Sequence, residues 1–226
     1  MKTRLIGIVL TIVVLVGSAY GDAIFYPLQQ IPIGGGNERV INSARDTVLP
    51  TMPLLGTVPD APEVMVHFTS TTDTLSGGGG QCCITAQDGL INNIEITWPG
   101  FGVKHIIFNP FKPRVNGDLI VTVSFCTPQG EFCVDPGFKT LKYGAPTGNQ
   151  NYMTIITVDG EVLTSVRVES AGGFEEFNQV RVDRSTITSI PPINPDVIPE
   201  PTSIMLVGSG LLVVTQAIRR KLKDAS

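Results

Sequence analysis

From Glu63 onward the chain is a succession of short runs rich in β-branched and aromatic residues, each cut off by Gly, Pro or Asn, and this punctuation limits the fold more than any other feature. Such runs predict strands over Val64–Thr69, Gln81–Thr85, Ile91–Trp98, Val103–Phe108, Leu119–Phe125, Phe138–Tyr143, Tyr152–Val158, Val162–Glu169 and Phe177–Val182. Two of them alternate cleanly. Ile94, Ile96 and Trp98 point to one side while Asn93, Glu95 and Thr97 point to the other; Leu119, Val121, Val123 and Phe125 likewise oppose Ile120, Thr122 and Ser124. One apolar and one polar face is what an antiparallel sheet over a core produces. Strand signals about every ten residues predict an all-β fold, an antiparallel β-sandwich of jelly-roll-like form. Asp159-Gly160 suits a type I′ turn and predicts a hairpin between Val158 and Val162. No amphipathic helix is legible between the two termini.

The sandwich is expected over residues 63–183. Ahead of it, residues 22–62 show little periodicity and many breakers, Gly34-Gly35-Gly36 with Pro50, Pro53, Pro59 and Pro62, which predicts an N-terminal arm ending at most in an edge strand. Neither that triple glycine nor Gly77–Gly80 leads into a GK[ST] ending and a helix, so both read as loops and not as phosphate cradles. Behind the sandwich, residues 184–198 carry Pro191, Pro192 and Pro195 among Ser, Thr and Asn, which predicts an extended spacer.

The two ends speak of export. Lys2 and Arg4, the apolar Leu5–Val16 and the small residues around Ala19-Tyr20-Gly21 read as a secretory signal peptide over residues 1–21, cut after Gly21 or, as second choice, after Ala23. Residues 199–226 begin with Pro199-Glu200-Pro201, continue with an uncharged apolar run from Ile204 to Ile218, and close on Arg219, Arg220, Lys221 and Lys223. The prolines deliver the chain extended to the apolar run. As a helix over residues 203–218 that run rises about 25 Å, just enough to cross a hydrocarbon core of ~30 Å. The cations then hold the C-terminus on the cytoplasmic side.

This order of parts resembles the PEP-CTERM sorting tail of exported proteins of Gram-negative bacteria, including its small-residue and leucine pattern at Gly208, Ser209, Gly210, Leu211 and Leu212. The resemblance implies that Pro199, Glu200 and Pro201 are recognised by a membrane enzyme, exosortase. It also implies a transient stay in the inner membrane, removal of the tail, and delivery to the cell surface or an exopolysaccharide matrix. A plain single-span anchor is the alternative. Residues 162–183, VLTSVRVESAGGFEEFNQVRVD, also look like the closing strands of such proteins.

With both ends set aside, the mean hydropathy of +0.22 loses most of its source, and about 160 residues remain, enough for one domain with a real core. The full chain carries a net charge of −4 and its ends are basic, so the body is more acidic still and nucleic acid is excluded as a partner. Twenty-four glycines, seventeen prolines and 16% charged residues describe a turn-rich exported β protein. Four cysteines allow three connectivities. Cys126 and Cys133 flank a Pro-Gln-Gly turn and could staple a hairpin, while the adjacent Cys82 and Cys83 could bridge each other or reach the other pair. Zinc is disfavoured, since there is no CxxC and only His67 and His105 are present; both read as structural strand residues.

Candidate chemistry is sparse. The adjacent Glu175 and Glu176 read as surface acidity and not as a glycosidase pair. Asp118, Asp135 and Asp159 lie in turns, where a structural calcium ion is conceivable, although no cofactor or metal is expected. Trp98, with Phe101, is either a core residue at the end of a strand or a sugar-contacting platform. No G-x-S-x-G or comparable nucleophile motif occurs. The expectation is an exported, non-enzymatic surface or matrix protein with a structural or adhesive role in an exopolysaccharide biofilm. A carbohydrate-binding module and a membrane-anchored periplasmic protein are the alternatives.

Overall fold

The computed structural model describes residues 22–31, 38–59, 61–80, 83–114, 118–129, 132–145, 148, 150–183 and 187–190, and all the regular structure among them is strand. In chain order the strands are β1 (Ala23–Pro27), β2 (Glu38–Val40), β3 (Asn42–Ser43), β4 (Thr47–Val48), β5 (Leu54–Val58), β6 (Ala61–Thr69), β7 (Leu75–Gly77) and β8 (Ile84–Ala86). There follow β9 (Ile91–Thr97), β10 (Phe101–Gly102), β11 (His105–Pro113), β12 (Asp118–Gln129), β13 (Phe132–Gly144), β14 (Met153–Thr157), β15 (Val162–Asp183) and β16 (Thr188–Ser189). The signal peptide over residues 1–21, the tail over residues 199–226 and most of the spacer lie outside the described residues.

Fourteen of these strands join one large antiparallel sheet, and β15 is its spine. Its first half runs between β12, with Leu119 opposite Ser170 and Cys126 opposite Val162, and β9, with Ser165 opposite Thr97 and Glu169 opposite Asn93. Its second half takes β11 on one edge, from Phe174 opposite Pro113 to Val182 opposite Ile106, and β8 and β2 on the other. The change of partners falls where the register on β9 shifts between Glu169 and Phe174. Gly173 supplies the bend there with φ of 69°, a left-handed conformation that costs glycine nothing. Its sequence neighbours Ser170-Ala171-Gly172 explain why this stretch reads as a gap between two strands, whereas the chain passes through without leaving the sheet.

The result is sandwich-like, with the inward faces of both halves meeting in one core. Ile94 and Ile96 of β9, Leu119, Val121 and Val123 of β12, and Val166 and Val168 of β15 are all fully buried, as the period-two alternation predicts. Phe108, Phe174 and Phe177 fill the region under the bend, with ring centroids 5.3 Å apart for Phe108 and Phe177 and 6.0 Å for Phe174 and Phe177. Each fully buried large apolar side chain contributes roughly 1.5–3 kcal/mol, so this core holds the sheet together.

Three expectations need correction. Residues 22–62 are no separate arm: β1 to β5 are strands of the same sheet, Ala23, Leu54 and Val58 are buried, and β6 starts at Ala61, across the expected boundary. Asp159 and Gly160 do make the anticipated turn, with φ of 55° and 87° and Glu161 N–H donating to the Val158 carbonyl at 3.1 Å, but it closes no hairpin. Its flanking strands part company, β14 pairing with β1 and β11 while β15 pairs elsewhere. Finally, the spacer contributes to the fold: Thr188 and Ser189 pair with Gly102 and Phe101, and Ile190 is buried.

Candidate functional site

The sorting residues Pro199, Glu200 and Pro201 and the topology residues Arg219, Arg220, Lys221 and Lys223 lie outside the described residues. Cys126 and Cys133 are disulfide-bonded, with Cα atoms 5.6 Å apart, and tie the far ends of β12 and β13. Buried Cys126 packs with Val162 and Ile190 in a small apolar cluster of its own. Cys83 is half-buried just before β8, and Cys82 is outside the described residues.

The sugar platform is not built from Trp98 and Phe101. Trp98 is only 2% exposed, because it continues the inward alternation of Ile94 and Ile96, and a stacking platform must offer a ring face to solvent. Phe101, half-buried on β10, packs against the same core. His67 points to the outer face of β6 and His105 is buried on β11 opposite Ile156. Asp118, Asp135 and Asp159 form no metal site: Asp118 pairs with Lys142 at 2.8 Å away from the other two, whose charges both act on Glu161, and among the described residues no group of three or more His, Cys, Asp or Glu could hold a metal ion. Glu175 and Glu176 diverge as strand neighbours must, Glu175 toward Lys112 at 3.2 Å and Arg114 at 3.8 Å, Glu176 accepting from the Asn178 amide at 3.0 Å.

The register lines up polar side chains across the outer face of the sheet. One row runs Thr140, Thr122, Arg167, Glu95 and Thr69 over β13, β12, β15, β9 and β6. The next runs Phe138, Ser124, Ser165, Thr97, His67 and Leu55, continuing onto β5. The Thr122 and Thr140 hydroxyls bond each other at 3.0 Å, and Arg167 holds Glu169 at 2.9 Å. Phe138, 77% exposed, stands at the β13 edge as the most open large apolar side chain among the described residues. Hydroxyls, one guanidinium and an exposed ring on one face of the sheet can meet a polyhydroxylated chain through hydrogen bonds and stacking. Sequence alternation placed Thr122 and Ser124 outward, but only the register joins them to Ser165, Thr97 and His67.

Among the buried acids not singled out from sequence, Asp73 and Glu161 have the most informative surroundings. Asp73, in the loop after β6, accepts from Ser70 Oγ at 3.0 Å, Thr72 Oγ1 at 3.0 Å, Asn92 N at 2.9 Å, Asn92 Nδ2 at 2.9 Å and Asn93 N at 3.3 Å. Asn93 Oδ1 in turn accepts from Thr71 N at 2.9 Å, so the loop is sewn to the start of β9. Burial pushes the Asp73 carboxyl up, but the donors from Asn92, Thr72 and Asn93 outweigh it and hold the group below the usual aspartate range. The signal available in sequence was the run Ser70-Thr71-Thr72-Asp73 facing Asn92-Asn93, a local hydrogen-bonding composition.

The second acid, Glu161, follows the Asp159-Gly160 turn and is 2% exposed. Burial, which leads, and the nearby charges of Asp159, Asp22 and Asp135 raise its pKa, opposed by a hydrogen bond from the Asp22 backbone N–H. Compared with protein-family models, with curated proteins and with solved structures, the chain matches none of them.

Proposed function

We propose that this chain is an exported, non-enzymatic protein of the cell surface or extracellular matrix, with a structural or adhesive role in an exopolysaccharide biofilm. In this account a jelly-roll-like β-sandwich is preceded by a signal peptide and followed by a single C-terminal transmembrane helix. The tail halts in the inner membrane, Pro199-Glu200-Pro201 is presented to exosortase, and the body is released outward. What supports export, beyond the two ends of the sequence, is the Cys126–Cys133 bond, since disulfides form and persist in oxidising compartments. The test is to replace Pro199, Glu200 and Pro201 with alanine and follow the protein in cell fractions. Accumulation of the uncut chain in the membrane is expected; unchanged release of the body would contradict recognition at these residues.

Polysaccharide binding by the outer face of the sheet is the second reading, favoured by the hydroxyl rows ending at exposed Phe138. It predicts retardation in polysaccharide affinity gels that weakens with Phe138→Ala and Arg167→Ala; equal mobility of wild type and both variants would exclude it.

A further inference from the structure

The buried acids Asp73 and Glu161 differ in what surrounds them. Asp73 accepts five hydrogen bonds. Glu161 Oε2 is buried without a hydrogen-bond partner among the described residues, and the charges acting on the group are the carboxylates of Asp159 on the turn, Asp22 just before β1 and Asp135 on β13. Lys139, beside Asp22, is already committed to the Asp22 carboxylate and, at 2.8 Å, to the Ala23 carbonyl. Among the described residues such a carboxylate has no ion pair, and leaving a buried charge unpaired is costly.

Asp22, whose nitrogen follows the expected cleavage bond, is held beside this turn: its carbonyl accepts from Val158 N–H at 3.1 Å, and Glu161 N–H donates to the Val158 carbonyl at 3.1 Å. Hydrolysis of Gly21–Asp22 adds water across that peptide bond, leaves a carboxylate on Gly21 and turns the Asp22 nitrogen into an amine. At neutral pH the amine takes up a proton, so a single amide donor becomes an ammonium with three donors and a full charge. We propose that Glu161 is a built-in receptor for the α-ammonium of Asp22, so that removal of the leader completes an ion pair which fastens β1 to the turn before β15. This role rests on the export proposed above.

The surrounding contacts suit a chain that begins at Asp22 better than one that begins at Ile24. Ala23 is fully buried and opposite Thr157, and the Asp22 carbonyl accepts from Val158 N–H at 3.1 Å. Cleavage after Ala23 would delete these contacts together with both of those made by Lys139. The first strand keeps these contacts only when Asp22 and Ala23 both remain on the mature chain.

The test compares two chains released from cleavable fusions in mild detergent, Asp22–Ser226 and the same chain with Gly21 retained. The chain beginning at Asp22 should show an unfolding equilibrium constant lower by about tenfold, between the values of exposed and buried pairs. The paired amine should titrate above the ordinary ~7.7–8.0, so the advantage is present below pH ~8 and disappears as the amine deprotonates. Glu161→Gln should abolish the difference between the two chains. If that variant does not fold, the amine titration of the wild-type chain, followed by NMR or by its rate of acylation, decides alone. Equal stability of the two chains, an amine with an ordinary pKa, or a mature N-terminus at Ile24 in the native host would each overturn the proposal. A host that never removes the leader would count against export, while the comparison of the purified chains would still judge the receptor.

Discussion

Replacing Asp73 with alanine removes an acceptor that no neighbouring group can substitute. The carboxylate, 5% exposed, takes five hydrogen bonds, two of them from the backbone amides of Asn92 and Asn93 at the start of β9. Ser70 and Thr72 can turn their hydroxyls elsewhere, but the two amides are fixed by the sheet. Stranding each costs about 1–3 kcal/mol, so Asp73→Ala should lose roughly 3–5 kcal/mol, a large part of a typical 5–15 kcal/mol stability. For a chain of this size that is a fall in Tm of about 10 °C or more. The pH dependence adds a signature. Because the folded pKa is depressed, the carboxylate's contribution is fully present above its unfolded value of about 3.9 and is lost as pH falls through the lower folded value. Urea unfolding of wild type and variant should therefore differ by a constant amount between about pH 5 and 7, with the gap narrowing below about pH 4. A loss under ~1 kcal/mol, or a gap that does not close in acid, would refute the claim that this network anchors the loop.

Three further outcomes follow from the packing. Gly77→Ala would drive a Cβ into the Ala44 carbonyl oxygen and should cost about 2–3 kcal/mol by thermal unfolding, whereas Gly148→Ala, with nothing within 4 Å, should be nearly neutral. Reducing the Cys126–Cys133 bond, whose cysteines are 7 residues apart, frees only a short loop and should lower stability by about 2–3 kcal/mol, read as a Tm difference with and without reductant. Trp98→Ala should cost about 3–5 kcal/mol, as for any large buried side chain, and a thermally stable Trp98→Ala would show the ring to be less buried than its 2% exposure implies.

The fold class was legible because period-two alternation is local: the inward Ile94, Ile96 and Leu119, Val121, Val123 needed no partner to be recognised. The Cys126–Cys133 staple was legible for the same reason, since its turn is seven residues wide. Partner choice is non-local and was not legible. The Asp159-Gly160 turn has the chemistry of a hairpin, yet β14 is taken by β1, whose Ala23 pairs with Thr157 from the other end of the chain. The strands of residues 22–62 are short and bounded by proline, so each is too weak a signal alone and gains its stability from a neighbour distant in sequence. Trp98 could be weighed as core or platform only until its neighbours were placed. The outer face had the same obstacle: its rows cross five or six strands, so no stretch of sequence contains one. Glu161 reads as an ordinary residue beside a turn, and nothing local in the sequence announces its burial.

Export of this chain should be followed by processing at both ends. Its most direct test is the intact mass of the protein recovered separately from the membrane and extracellular fractions of its native host. The account predicts an extracellular species beginning at Asp22, lacking the residues after about Pro199 and lighter by two hydrogens for the Cys126–Cys133 bond. A tail-bearing chain found only in the membrane fraction, with no shorter species outside the cell, would contradict it.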